Sequence, residues 1–329
     1  MTSETQTEKV PARLHAILAR RGPDAVVFRR GPSDKVAVIG WDRSSDTFTL
    51  GQWLRGRIYP LRCDLSPSGE HLIYFAAKYG RENPLEKRIC EELKKRFRTS
   101  DLWRVDHRLL AQAEEELRQK KEFQKMEKSA DYHDCSWTAI SRAPYLKALS
   151  LWWNGTGWNG GGLFESEEGF YLNRPPEYIA GTIPGIQSRR FRELAPDREL
   201  VQEFCWGHRG ECWMVYGKRL LRDGWSLADK DGFIFEKVLP NGWLLRKECP
   251  TDYSGLHEVY WERHILLDTD RNPLLEGGNW RWADFDPYRK RIVYAENGTI
   301  RALELKLPLE SKRLYDFNGM TYQQVAAPY

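Results

Sequence analysis

Cys63-Asp64-Leu65-Ser66-Pro67-Ser68-Gly69-Glu70-His71-Leu72-Ile73-Tyr74 aligns without a gap on Ala283-Asp284-Phe285-Asp286-Pro287-Tyr288-Arg289-Lys290-Arg291-Ile292-Val293-Tyr294. Both read as a strand, an Asp-containing tight turn with Pro, then an aliphatic-aliphatic-Tyr strand. A degenerate third copy runs from Cys205 to Tyr216. Recurrence of one hairpin unit marks radial repetition, so the expected fold is an all-β propeller rather than a sandwich or barrel. The spacing sets the blade number. Asp64 and Asp284 lie 220 residues apart, and 170 remain after setting aside a 50-residue charged stretch between them. At roughly 40–45 residues per blade that is about four steps, hence about five blades.

Outward from these copies the texture stays β-rich. Val26-Val27-Phe28, Lys35–Trp41 and Thr47–Leu50 are short apolar or β-branched runs separated by turn residues. Asn297-Gly298 divides Arg291–Ala295 from Thr299–Leu303, a strong hairpin signal. Pro240-Asn241-Gly242 divides Gly232–Leu239 from Trp243–Arg246 in the same way. Two segments read differently. Residues 11–21 open with Pro and close before Gly22, which predicts a short N-terminal helix within a 1–24 tail. Residues 81–130 hold 14 Lys/Arg and 11 Asp/Glu. Leu85, Ile89, Leu93 and Phe97 form one apolar stripe there, and Leu109, Leu110, Ala113 and Leu117 a second. That spacing predicts a pair of amphipathic helices inserted into a β domain spanning 25–329.

The Asp-x-Ser-Pro-x-Gly turn followed by Leu-Ile-Tyr resembles the WD-repeat-like β-propeller units common in bacteria. The repeating Gly-His and Trp-Asp dipeptides of true WD repeats are missing, so the resemblance implies architecture only. The Gly-Arg-Ile-Tyr and Cys-Asp-Leu-Ser-Pro stretch also resembles a bacterial family with no assigned activity, which implies no catalytic residues. In such propellers the turn Asp hydrogen-bonds its own hairpin, so Asp64, Pro67, Gly69, Asp284 and Pro287 are expected to be structural turn residues.

Composition narrows the function. A net charge of +4 is too weak a bias to announce nucleic acid, and no apolar run is long enough for a transmembrane helix. The polar start lacks the apolar core of a secretory signal, so a cytoplasmic protein with reduced thiols is expected. No phosphate-binding loop, dinucleotide turn, nucleophile elbow or zinc-protease helix is present, and no cofactor is expected. Cys205, His208 and Cys212 would need a fourth ligand to hold zinc, so no metal site is expected. His257 and His264 fall on opposite faces of a regular strand, which argues against shared ligation.

What remains is binding. The expected role is a non-catalytic scaffold that presents loops and the helical insertion to a protein partner, through the Leu85, Ile89, Leu93, Phe97 stripe. The alternative is a carbohydrate-binding or glycoside-hydrolysing propeller, with Trp152, Trp153 and Trp158 as a platform beside Asn154 and Asn159. Hydrolysis would need two carboxylates in one cleft, from Asp64, Asp131, Asp134, Asp229, Asp231, Asp284 and Asp286. A weaker alternative is nucleic-acid binding through the bases of the insertion or through Arg189-Arg190-Phe191-Arg192.

Overall fold

The computed structural model describes residues 10–31, 34–78, 84–129, 136–154, 160–173, 182–195, 213–231, 233–250 and 261–329. The chain divides into two compact units, Lys78–Cys135 and the remainder. Among the described residues the larger unit holds five sheets, built almost wholly of antiparallel pairs.

Sheet 1 is a four-stranded meander of β1 (Arg13–Leu18), β2 (Asp24–Arg30), β3 (Lys35–Asp42) and β4 (Thr47–Arg55). Sheet 2 carries β5 (Arg57–Ile58), β6 (Asp64–Leu65), β7 (His71–Ala77), β8 (Ser136–Arg142), β9 (Ala148–Asn154) and β12 (Thr182–Pro184). Sheet 3 holds β10 (Gly162–Phe164), β11 (Gly169–Leu172) and β13 (Arg192–Glu193), the last of these parallel to β11. Sheet 4 is β14 (Ser226–Asp229), β15 (Ile234–Val238), β16 (Leu244–Glu248), β17 (Arg263–Leu267) and β18 (Pro273–Gly277). Sheet 5 is β19 (Trp280–Asp286), β20 (Arg291–Glu296), β21 (Thr299–Glu304) and β22 (Ser311–Asp316).

The shared cores give the sheets a neighbour order. Trp41 and Val27 of sheet 1 pack with Trp282, Val293 and Ile300 of sheet 5. Ile17, Phe28 and Val38 pack with Leu72, Tyr74 and Ala139 of sheet 2. Ile73 and Trp152 of sheet 2 then meet Phe164 and Phe170 of sheet 3. On the far side, Phe235 and Leu245 of sheet 4 join Trp280, Ile292 and Tyr294 of sheet 5. The sequence of faces is therefore 3-2-1-5-4. In sheets 5 and 1 the last strand is the most exposed. β20 is almost wholly buried whereas β22 is mostly exposed, and β3 gives way to a half-exposed β4.

Two predicted elements are corrected. Residues 13–18 are a strand and not a helix, paired in register from Arg13↔Arg30 to Leu18↔Ala25. Leu14 and Ala16 enter the core with sheet 5 and Ile17 enters the core with sheet 2, so both faces of β1 are buried. Pro and Gly at its ends punctuate a turn equally well, and two-sided burial overrides local propensity. The supposed third repeat, in its described part, is a helix: α4 (Trp213–Arg222). Trp213, Tyr216 and Leu220 share one face and join the core of sheets 4 and 5, while Asp223 and Gly224 (φ +87°) turn the chain.

Both predicted hairpin turns are present. Asn297 and Gly298 each have positive φ between β20 and β21, and Gly242 does between β15 and β16.

The smaller unit holds α1 (Pro84–Phe97), α2 (His107–Arg118) and α3 (Lys121–Ser129), so the expected pair is three helices. Asp106 caps α2 by accepting from the amides of Arg108 and Leu109. Leu85, Ile89 and Leu93 are buried there against Ala113, Leu117 and Phe123, with Phe97 packed at the edge.

Candidate functional site

β1 ends at Leu18, and its chain continues past Ala19 to Arg20 beside α4. These two segments, with β15, β16 and β19, wall a cavity of about 430 Å³. Its apolar wall comes from Ala16, Ile17, Leu220, Trp282 and Phe285. Its polar wall carries five cations, Arg20, Arg219, Arg222, Lys237 and Lys247, and only two carboxylates, Asp223 and Asp284.

Each carboxylate is already engaged. Arg222 holds Asp64 with two hydrogen bonds, 2.6 and 2.9 Å, and reaches Asp223 with two more, 2.8 and 3.2 Å. It also donates to the Phe164 carbonyl at 2.9 Å, which ties α4 to sheets 2 and 3. Burial pushes the Asp223 carboxyl up, against the pull of Arg222. Asp284 accepts from Lys237 Nζ at 2.5 Å and from the Phe285 amide.

Behind the wall lies a buried polar chain. Lys247 Nζ donates to Tyr216 Oη at 2.7 Å and to Glu262 at 3.1 Å, and Tyr216 donates to the same carboxylate. His264 Nε2 sits 3.0 Å from Glu262. The Lys247 ammonium and these neighbours hold the Glu262 carboxyl well below the usual range, even though burial opposes them. Burial, reinforced by the Glu262 carboxylate that accepts its proton, raises the Tyr216 hydroxyl, so it stays a phenol. On the other side Arg219 lies 3.2 Å from His15 Nε2 and donates to the carbonyls of Pro60 and Cys63. Burial, reinforced by Arg219, lowers the His15 pKa, so the ring is neutral and accepts from the guanidinium at Nε2.

Trp225 stands between two of the cations. Lys237 and Lys247 lie 4.9 and 5.0 Å from its ring centroid, close enough for cation–π attraction. Its buried indole nitrogen has no acceptor, and neither has the buried Nε of Arg20. Arg20 donates to the carbonyls of Phe164 and Glu165 at 3.0 and 3.4 Å and, among the described residues, has no carboxylate partner.

The residues singled out from sequence fare differently. Asp64 does not tie its own turn: its buried carboxylate takes Arg222 and the Phe164 amide at 2.8 Å. Asp284 faces the cavity. The turn work passes to the position two residues on. Ser66 accepts from the His71 amide at 3.1 Å, and Asp286 accepts from the Tyr288 amide at 3.1 Å. Gly69 has φ +89° and sits against Ala19 and Asp24, and Pro287 lines the cavity.

Leu85, Ile89 and Leu93 spend their apolar surface inside the helical unit, so the stripe is not an open docking face. Trp152 is buried against Phe170, and Trp153 pairs edge-on with Trp137, so neither stands out as a sugar platform. Trp158 lies outside the described residues, as do Asp131, Asp134, Cys205, His208, Cys212 and His257. Gly160 and Gly161 are close-approach glycines: a Cβ would run into the Phe75 ring and the Arg62 carbonyl respectively. Several bases of the insertion are matched, Lys95 to Glu92, Arg96 to Glu116 and Arg118 to Glu114. Arg190 pairs with Glu70 at 3.2 Å. Among the described residues no three His, Cys, Asp or Glu side chains are grouped as a metal site, and no helix is long and apolar enough to cross a membrane.

Most of the cavity's polar residues escape the sequence reading: the third repeat copy ends in the first turn of α4 and hides the helix that carries Arg219 and Arg222, and no motif marks Arg20, Lys237 or Lys247. The signal was there: Trp213, Tyr216 and Leu220 at helical spacing, then Arg222-Asp223-Gly224 as a basic end and a stop. No protein-family model matches the chain, and no curated protein matches it.

Proposed function

We propose that the larger unit is a β-propeller-like binding module that works by holding a small polar molecule in the cavity between β1, α4, β15, β16 and β19. Five sheets in the order 3-2-1-5-4, with α4 against both β10 and β14, support reading them as blades around an axis. The exposure of the last strand in sheets 5 and 1 supports the same reading. One observation carries the function: an apolar-backed cavity of about 430 Å³, within the range of small-molecule pockets, has seven charged side chains on its wall. Buried charges are costly and gather where a ligand or reaction uses them.

The role stays non-catalytic, but the site moves from the helical unit and the Trp-rich segment to this cavity. Val238 lines it and is 69% exposed, so Val238→Trp narrows the mouth without disturbing a core. In a thermal-shift screen of small polar molecules, a ligand should raise the melting temperature of the wild type and not that of this variant. Hits that stabilise both equally would move the site elsewhere. A second reading, glycoside hydrolysis, rests on Asp223 and Asp284 sharing the wall, with Asp223 pushed up as a general acid requires. It predicts release of nitrophenol from aryl glycosides, abolished in Asp223→Asn; no turnover by the wild type would sink it.

A further inference from the structure

We infer that the molecule this cavity takes is an anion, carrying a phosphoryl or carboxylate group that Arg20 grips; the inference rests on the proposed cavity function. The wall's ion pairs do not close. Arg222 is shared by Asp223 and by Asp64 behind the wall, Asp284 takes Lys237, and Lys247 is matched by Glu262, so five cations face four carboxylates. That leaves Arg20 and Arg219, neither with a carboxylate partner among the described residues. Arg219 is spent on two carbonyls and the neutral His15. Arg20 is not: its guanidinium meets only two backbone carbonyls, and its buried Nε has no acceptor.

Unused hydrogen-bonding capacity points the same way. Among the described residues, Arg20 Nε is a buried nitrogen without a hydrogen-bond partner on a residue of the cavity wall, and no buried side-chain oxygen lacks one. A cation would need spare acceptors and would meet a net positive wall. An anion supplies acceptors to the Arg20 guanidinium, whose five N–H donors meet only two carbonyls. A planar guanidinium suits either group, since both present two oxygens to its fork. Lys237 and Lys247, both about 5 Å from the Trp225 centroid, add positive potential from the facing wall.

The test uses the full chain and isothermal titration with four probes: pyrophosphate, citrate, glucose and choline. Pyrophosphate, citrate or both should bind, with affinity lowered at least tenfold in Arg20→Gln, largely restored in Arg20→Lys, and lost in Val238→Trp. Raising KCl from about 50 to 300 mM should weaken wild-type binding several-fold, a check that needs no variant to fold. Pyrophosphate alone assigns a phosphoryl group, and citrate alone a carboxylate. The inference is overturned if neither anion binds, or if Arg20→Gln and salt leave the affinity unchanged. Glucose or choline binding that Val238→Trp abolishes, with no anion binding, would overturn it while leaving the cavity as the binding site.

Discussion

Asp64 and Asp286 are both wholly buried carboxylates that fasten one part of the larger unit to another, from different positions of the same repeat. Asp64 holds Arg222 of α4. Asp286 accepts from Arg43 at 2.8 Å and from Arg291 at 3.4 Å, and Arg43 also donates to the carbonyls of Ala19 and Pro23 in the β1–β2 turn. Arg291 continues the network to Asp46 at 2.9 and 2.5 Å. Removing one partner of a buried pair strands the other, at about 3–5 kcal/mol. Asp64→Ala strands the Phe164 amide but leaves Arg222 its bonds to Asp223, so it should cost less than that, about 1–3 kcal/mol in urea unfolding, and Asp64→Asn clearly less because an acceptor oxygen remains. A cost below about 1 kcal/mol for the alanine variant would refute the clasp. Asp284→Ala should be milder, since Asp284 is partly exposed whereas Asp64 is wholly buried. The repeat located these aspartates but not their partners: Arg43 and Arg222 sit 243 and 158 residues from Asp286 and Asp64, and sequence spacing carries no trace of such pairings.

At the scale of elements, β7 and β8 pair from His71↔Arg142 through to Ala77↔Ser136. The unit of residues 78–135 thus leaves and re-enters the larger unit at one hairpin end. Replacing 78–135 by Asn-Gly should close that hairpin with a tight turn and leave the larger unit folded, with the cavity's ligand response intact. Loss of the cooperative unfolding transition in this deletion would refute it. Gly298 gives a second check. It has φ +74°, and a Cβ there would strike the Asn318 side chain, so Gly298→Ala should destabilise by about 1 kcal/mol or more. Elements with local signals were legible: the Asn-Gly turn, the apolar runs of β2, β3 and β4, and the helical stripes. β1 was not, because Arg-Leu-His-Ala-Ile-Leu carries no alternation when both faces are covered.

Across the whole molecule, burial lowers the pKa of three histidines on three different strands, His15, His71 and His264. They are neutral when folded, while the unfolded chain takes up their protons below about pH 6.5. Stability they contribute is complete above that value and falls as the pH drops below it, by up to about 1.4 kcal/mol per pH unit for each histidine. Glu262, whose pKa is depressed, adds a further loss only below its unfolded value of about 4.5. Urea unfolding should therefore show stability declining from pH 7 to 5, before ordinary carboxylates titrate, with a shallower decline in His15→Gln. A flat profile over that range would count against neutral buried histidines. The neighbour order of the sheets lay only partly within reach of sequence: the repeat implied similar units, whereas α4 beside β10 and β14 depends on contacts that no local pattern encodes.

The core shared by sheets 1 and 5 has a consequence in time. Leu14, Val27 and Trp41 leave the ribosome first, and Trp282, Val293 and Ile300 that cover them emerge more than 240 residues later. At synthesis rates of about 5–20 residues per second, that face of sheet 1 waits on the order of tens of seconds uncovered. The nascent chain is then at its most aggregation-prone while it is still tethered, and its yield in a cell should depend more on translation speed and chaperone supply than on the final stability of the folded protein.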